Sequence, residues 1–262
     1  MFKTIRRRMF GDAPTRPLAS AEEYRKIWGR ARAANYPAID DFERQTGFGI
    51  SLEWLHDLAL HTQVVIKASD INYQHGRVLY AALRRYIADH GKSESVVVLE
   101  TGTARGFSSV CMARALIDSE AIGQVITIDT LPHKKPMFWN CIDDHDGRKT
   151  RAELLQPWRR ETERVTFLTG RVEPSLHRLG LTRIRFAFLD ASHKYRDVIK
   201  EFRYVAAHQS VGDVVVLDDL TPAMFDGVVR AVSTIELEGE YEVRRLSASS
   251  ARGYAIAIRT MT

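Results

Sequence analysis

The 262-residue sequence is poor in cysteine. Its two copies, Cys111 and Cys141, form no C-x-x-C pair, which excludes a disulfide scaffold and fits a reducing, cytoplasmic setting. No run of ~18 apolar residues occurs, so no membrane span is expected. The nine histidines show neither H-E-x-x-H nor H-x-x-x-H spacing, which argues against a zinc site. An excess of one charge is also missing. The 38 basic and 33 acidic residues leave a net +5, too little by itself to argue for nucleic acid. Lys3, Arg6, Arg7 and Arg8 crowd the start, but Met9 to Pro14 is not the apolar run that a twin-arginine signal needs. The cluster reads as a solvated terminus.

What remains is globular: 45% hydrophobic and 27% charged residues, in a chain long enough to bury a core without staples. Residues 1–20 read as an arm. Residues 21–63 look helical, with Ser20 as N-cap, interruptions at Pro37 and Gly47/Gly49, and a short helix marked by Leu52, Leu55, Leu58 and Leu60. Residues 1–70 are thus expected to form an arm and helical cap, or a contact for a second copy in a homo-oligomer. Residues 71–262 are expected to form the main domain.

In that second segment Val78, Leu79, Ala82, Leu83, Tyr86 and Ile87 fall on one helical face, and Gly91 supplies a stop. Short apolar strands are expected at 96–99, 125–128, 165–168, 185–189 and 214–217, the kind buried on both faces of a parallel sheet. Helices are expected at 108–117, 151–163, 195–207 and 224–237. Strands 241–246 and 253–258 are joined by a short polar stretch and should pair as a hairpin. The repeated β-α-β pattern predicts a doubly wound α/β fold.

Strand 96–99 runs into Glu100-Thr101-Gly102-Thr103-Ala104-Arg105-Gly106, followed by a helix. The glycines allow close approach of backbone to a ligand, and the turn presents N–H groups at a helix start. The dinucleotide fingerprint G-x-G-x-x-G is absent, which counts against a nicotinamide dehydrogenase. A carboxylate at Glu100 repels a pyrophosphate but suits a ligand ammonium. Asp129 ends the second strand, placed to accept from both hydroxyls of a ribose. Together these features point to an amino-acid-bearing nucleoside, S-adenosylmethionine (SAM).

The stretch Val98-Leu99-Glu100-Thr101-Gly102-Thr103-Ala104-Arg105-Gly106-Phe107-Ser108 resembles motif I of the class I SAM-dependent methyltransferases. Ile126–Asp129, Val165–Arg171, Phe188–Tyr195 and Gly212–Asp219 resemble the later strand motifs, in order. The last two are similar to the small-molecule O-methyltransferases of the methyltransferase 24 group, of the catechol and the macrolide and aminocoumarin sugar types. The resemblance covers about residues 75–258. It implies a Rossmann-like, doubly wound sheet of seven strands, mostly parallel with an antiparallel C-terminal hairpin strand, behind the N-terminal helical extension. It implies cofactor contacts at Glu100, Thr101, Gly102, Thr103, Gly106, Ser108, Asp129, Arg171 and Asp190. Arg171 stands where the family commonly has an acidic residue.

Asp190 ends the fourth strand and Asp218-Asp219 the fifth. In this fold those strands are neighbours ~4.8 Å apart, so three carboxylates converge. Unpaired, they would raise each other's pKa. A hard divalent cation, Mg²⁺ or a similar ion, would relieve this, and the resemblance places metal ligands at Asp190, Asp218 and Asp219. Such an ion would activate a hydroxyl beside the sulfonium. His193, three residues after Asp190, is the candidate general base, with Lys194 as fallback. His133, Lys134 and Lys135 read as a solvated loop. Phe138, Trp139 and His145 could form an acceptor lid, and Cys141 lacks the base partner of a nucleophile. The function expected is O-methylation of a small-molecule hydroxyl, on a sugar or natural product. The alternatives are a catalytically inactive SAM binder and a methyltransferase acting on a macromolecule.

Overall fold

The computed structural model describes residues 14–91, 94–249 and 252–261. Lys3 and Arg6–Arg8 lie outside the described residues. The chain enters through three helices. In α1 (Ala21–Arg32) the Ser20 hydroxyl accepts from the Glu23 N–H at 3.2 Å, the cap expected. The interruption expected at Pro37 is there: α1 ends at Arg32 and Pro37 opens α2 (Pro37–Thr46), because a first-turn residue needs no N–H. Gly47, at φ +79°, closes it. Helices α3 (Leu52–Thr62) and α4 (His75–His90) follow.

Seven strands form one sheet: β1 (Val96–Thr101), β2 (Gly123–Asp129), β3 (Val165–Thr169), β4 (Phe186–Leu189), β5 (Val214–Leu217), β6 (Tyr241–Ser249) and β7 (Arg252–Arg259). Their order is β3-β2-β1-β4-β5-β7-β6, with β1 to β5 parallel and β7 antiparallel to both of its neighbours. The connecting helices are α5 (Phe107–Asp118), α6 (Arg151–Leu154), α7 (Arg159–Thr162), α8 (Val172–Leu176), α9 (Tyr195–Ala206) and α10 (Asp226–Glu238). Two expectations shift. The helix expected over 151–163 is broken into α6, a 3₁₀ turn at Gln156–Trp158 and α7, since Pro157 cannot donate into a continuous ladder. The C-terminal hairpin is longer than expected, because strand pairing continues through Ser247 and Ser249.

Successive strand side chains point to opposite faces, which divides the apolar runs between two cores. Val98, Val125, Phe186, Phe188, Val214 and Val216 face α4, α5 and the N-terminal helices. Leu99, Ile126, Ala187, Leu189, Val215 and Leu217 face α9 and α10. Tyr24, Ile39, Phe42, Leu55 and Leu58 lie in the same core as Val78, Leu83 and Phe107. The apolar faces of α1 to α3 are thus buried against the sheet domain of their own chain. Among the described residues no helix is long and apolar enough to cross a membrane.

Candidate active site

Helix α5, after β1, lies on one face of the sheet, and α9, after β4, lies on the other. β1 and β4 are adjacent, so a crevice opens between their carboxyl ends, where open α/β sheets bind ligands. Gly102 makes the crevice floor. Its φ is +95°, and an added Cβ would stand 2.5 Å from the Asp190 carbonyl oxygen. The backbone N–H groups of Gly102 and Asp190 donate to Ile128 O and Thr101 O, each at 2.9 Å, locking the three strand ends together. Gly106, at φ +93°, begins α5.

Asp129 fixes the turn between these glycines. Its Oδ2 accepts from the N–H of Ala104, which sits at φ +46°, and its Oδ1 from the N–H of Leu131, both at 2.7 Å. The side chain is only partly buried. The Thr130 hydroxyl also lies 3.4 Å from Oδ1, so of the roughly four lone-pair sites of a carboxylate about one remains for a ligand hydroxyl.

Four of the other expected cofactor side chains lie beneath this surface. Glu100 is fully buried and accepts from the hydroxyls of Ser108 and Ser109. Burial pushes its carboxyl up, against the pull of those hydroxyls. The Thr101 hydroxyl donates to Glu201 at 2.7 Å, and Thr103 bonds Thr127 at 2.6 Å. Glu100, Thr101, Thr103 and Ser108 thus tie β1 to its neighbours with their side chains. Arg171 is exposed just after β3, on the same sheet edge.

Two supports escaped the sequence reading. Arg151 is buried and donates to Ala104 O at 3.0 Å and Leu131 O at 3.3 Å, the same two residues whose N–H groups Asp129 holds. An arginine at a helix start gives no such signal in sequence. His133 is not solvated as expected. It stacks on Phe167 with ring centroids 4.4 Å apart, and its Nδ1 is buried without a partner. Lys134 and Lys135 are exposed. Nor does Trp139 form a mobile lid surface. It is buried with Cys141 and Leu154, and its indole N–H donates to Lys149 O at 2.7 Å. Phe138 is half-buried, and His145 reaches Ala19 O at 3.0 Å. Burial pushes the Cys141 thiol up to about 12, unlike a nucleophile.

The carboxylates meet where Leu189 of β4 and Leu217 of β5 pair in register, which sets Asp190 beside Asp218. His193 Nε2 lies 2.6 Å from Asp219 Oδ2. The imidazole stacks on Phe225 at 4.2 Å, and α10 closes on its backbone at Gly227, where a Cβ would meet His193 O at 2.3 Å. Lys194 is exposed. Burial and the two neighbouring carboxylates hold the Asp190 carboxyl well above the ordinary value. Burial also acts on Asp219, but its bond to His193 and the charge of Arg252 outweigh it and hold this carboxyl low.

Asp190, Asp218 and Asp219 do not assemble as the metal-ligand set expected. The groups that converge are Asp190, His193 and Asp219, with one ligand atom each inside 4.8 Å. Asp218 is occupied otherwise: Oδ1 accepts from the Asp219 N–H at 2.6 Å, and Oδ2 binds the guanidinium of Arg252. Arg252 Nη1 also stands 3.1 Å from Asp219 Oδ1, so both oxygens of Asp219 are engaged. Asp218 and Asp219 are thus matched by Arg252, and Asp219 by His193 as well. Two more basic groups face the cluster. Lys67, on the stretch before α4, is kept below its ordinary value by burial and by Arg252 and Arg105. His75 is buried against Phe107 and Phe188 with its Nδ1 unpartnered, and burial holds it neutral.

Residues 99–220 match the family described as a methyltransferase domain. Solved structures of similar shape include cofactor-bound Rv0187 from MTB, 18% identical, covering 87% of this chain and 99% of that one, with a TM-score of 0.58. The O-methyltransferase TomG of Streptomyces achromogenes, involved in tomaymycin synthesis and solved with SAM, is 20% identical over 81% of this chain and 92% of its own (TM-score 0.55). The O-methyltransferase of Bacillus cereus in complex with SAH is 15% identical over 91% and 100% (TM-score 0.54). No curated protein sequence matches the chain.

Proposed function

We propose, for a chain whose residues 99–220 match a methyltransferase domain, that it transfers the methyl group of SAM to a hydroxyl of a small molecule. The observation that carries this reading is Asp129, held at the β2 end by Ala104 and Leu131, half-buried and with acceptor capacity left for a ribose hydroxyl. Gly102 supports it, because only a glycine lets the turn after β1 pack this closely against the backbone after β4 at the carboxyl edge where such sheets bind ligands. A hydroxyl acceptor follows from what lies beside the crevice: a histidine paired with a carboxylate, suited to taking a proton. The involvement of TomG in tomaymycin synthesis favours a natural product or sugar hydroxyl as acceptor.

Bound SAM supplies a methyl group on a positively charged sulfonium, open to in-line attack. The chain aligns and deprotonates. In the tautomer that donates Nε2–H to Asp219, His193 keeps its Nδ1 lone pair for the acceptor proton. The oxygen's electron pair forms the O–CH₃ bond as the S–CH₃ pair returns to sulfur, leaving SAH. Asp219, held ionised, stabilises the imidazolium that results. Asp190, at the crevice edge, borders both the cofactor turn and this pair. No step runs through Mg²⁺.

The two cysteines are free and buried, which suits the cytoplasmic location we assign. The test is SAH formation from SAM with a panel of sugars, polyols and catechols. Turnover on one of them supports the reading. SAM binding with no turnover on any of them, nor on protein or nucleic acid, leaves the inactive-binder alternative in its place.

A further inference from the structure

We infer that Arg252 stands in for a divalent cation in this site, so that methyl transfer here is independent of metal. The inference rests on the methyltransferase reading and concerns how that site balances its charge. Three carboxylates at one sheet edge need a counter-charge. Arg252 provides it with a forked contact, Nη2 to Asp218 Oδ2 and Nη1 to Asp219 Oδ1. The Asp218 side chain is fully buried, so the pair is shielded from solvent.

The fold places this arginine and does not leave it to a flexible surface. β7 runs antiparallel to β5, so the start of β7 lies beside the end of β5. Leu217 pairs with Ala255, which sets Arg252 alongside residues 218–220. The Leu220 N–H donates to Gly253 O at 2.9 Å, tying the hairpin to the loop that carries both aspartates. Gly253 permits that approach, since a Cβ there would lie 2.8 Å from Leu220 O.

A dication held by Asp190, His193 and Asp219 would have to displace the bond between His193 and Asp219, and it would sit beside the guanidinium that already holds Asp219. With Arg252 in place, Asp219 is held ionised and aimed at His193. Arg252 is therefore a positioning residue for the His193–Asp219 pair.

The test titrates Mn²⁺ and Mg²⁺ into SAH-loaded protein by calorimetry and measures turnover with and without EDTA. Wild type should show no stoichiometric metal binding and no loss of turnover in EDTA. Arg252→Met keeps the bulk but removes the charge. It should lose about tenfold to a hundredfold in turnover, the scale seen when a group orienting a functional side chain is removed. It should also gain Mn²⁺ binding that restores part of the rate, a gain that a merely structural residue would not produce. Arg252→Lys keeps one charge without the fork. It should lose less turnover and bind no metal, which covers the case in which Arg252→Met does not fold. Stoichiometric Mg²⁺ or Mn²⁺ binding by wild type overturns the inference, as does a folded Arg252→Met with unchanged turnover and no metal binding. Absence of SAM binding would instead defeat the methyltransferase reading, and the metal titration on unloaded protein would still decide this one.

Discussion

His193 Nε2 and Asp219 Oδ2 stand 2.6 Å apart at the carboxyl edge of the sheet, on loops that follow two adjacent strands. Neither residue is near the other in sequence, and each is held from behind, His193 by Phe225 and Asp219 by Arg252.

Replacing His193 tests its role as base. His193→Gln should lower kcat about 10²–10⁴-fold, the usual contribution of a positioned proton acceptor. SAM affinity should be unchanged, because His193 lies beside the cofactor turn and not in it. An unchanged kcat would move the base elsewhere, with Lys194 the first candidate to test.

Asp129 carries the cofactor argument. Asp129→Ala removes both the acceptor for a ribose and the clamp on Ala104. A hydrogen bond to a charged group contributes about 1.5–3 kcal/mol, so SAM should bind roughly 10–100-fold more weakly. Calorimetry reads this directly. Arg151→Met, which frees the carbonyls of the same two residues, should weaken SAM in the same direction.

Gly102→Ala should damage both fold and binding. The new methyl would meet a backbone oxygen, which cannot move aside as a flexible side chain could. The φ of +95° is strained for alanine as well. Strain and overpacking together cost about 2–4 kcal/mol, visible as a lowered Tm.

Glu201 should give stability an unusual pH dependence. Burial raises its carboxyl to about 7, with the Thr101 hydroxyl bond opposing. The folded state therefore holds a proton that the unfolded chain releases above about 4.5. Between these values the folded state binds more protons, so stability falls as pH rises toward 7 and is level beyond it. A shift of this size corresponds to about 3 kcal/mol. Glu201→Gln keeps an acceptor for Thr101 and should lose this slope between pH 5 and 7.5 in chemical denaturation. An unchanged slope would assign it to another group.

The parallel part of the sheet was legible because four of its strands are short apolar runs that each end at a recognisable residue: Glu100-Thr101, Asp129, Asp190, Asp218. Alternation within those runs also tells why each strand serves two cores. The cofactor turn was legible from Gly102, Gly106 and Asp129, whose roles depend on backbone shape and strand position. Less visible were partners fixed by tertiary contact. The hold of Ser108 and Ser109 on Glu100 is one, since it shows only once α5 is packed on β1. Arg252 lies 33 residues beyond Asp219, at the start of β7, and only the antiparallel insertion of β7 between β5 and β6 brings it to the carboxylates. Arg151 and His75 are similar cases, since polar residues at helix starts carry no mark of their burial.

The most direct test is calorimetric titration of SAM into the wild-type chain and Asp129→Ala side by side. The account predicts one SAM bound per wild-type chain and a marked loss of affinity in the variant. No binding to wild type, or equal binding to both, would contradict it.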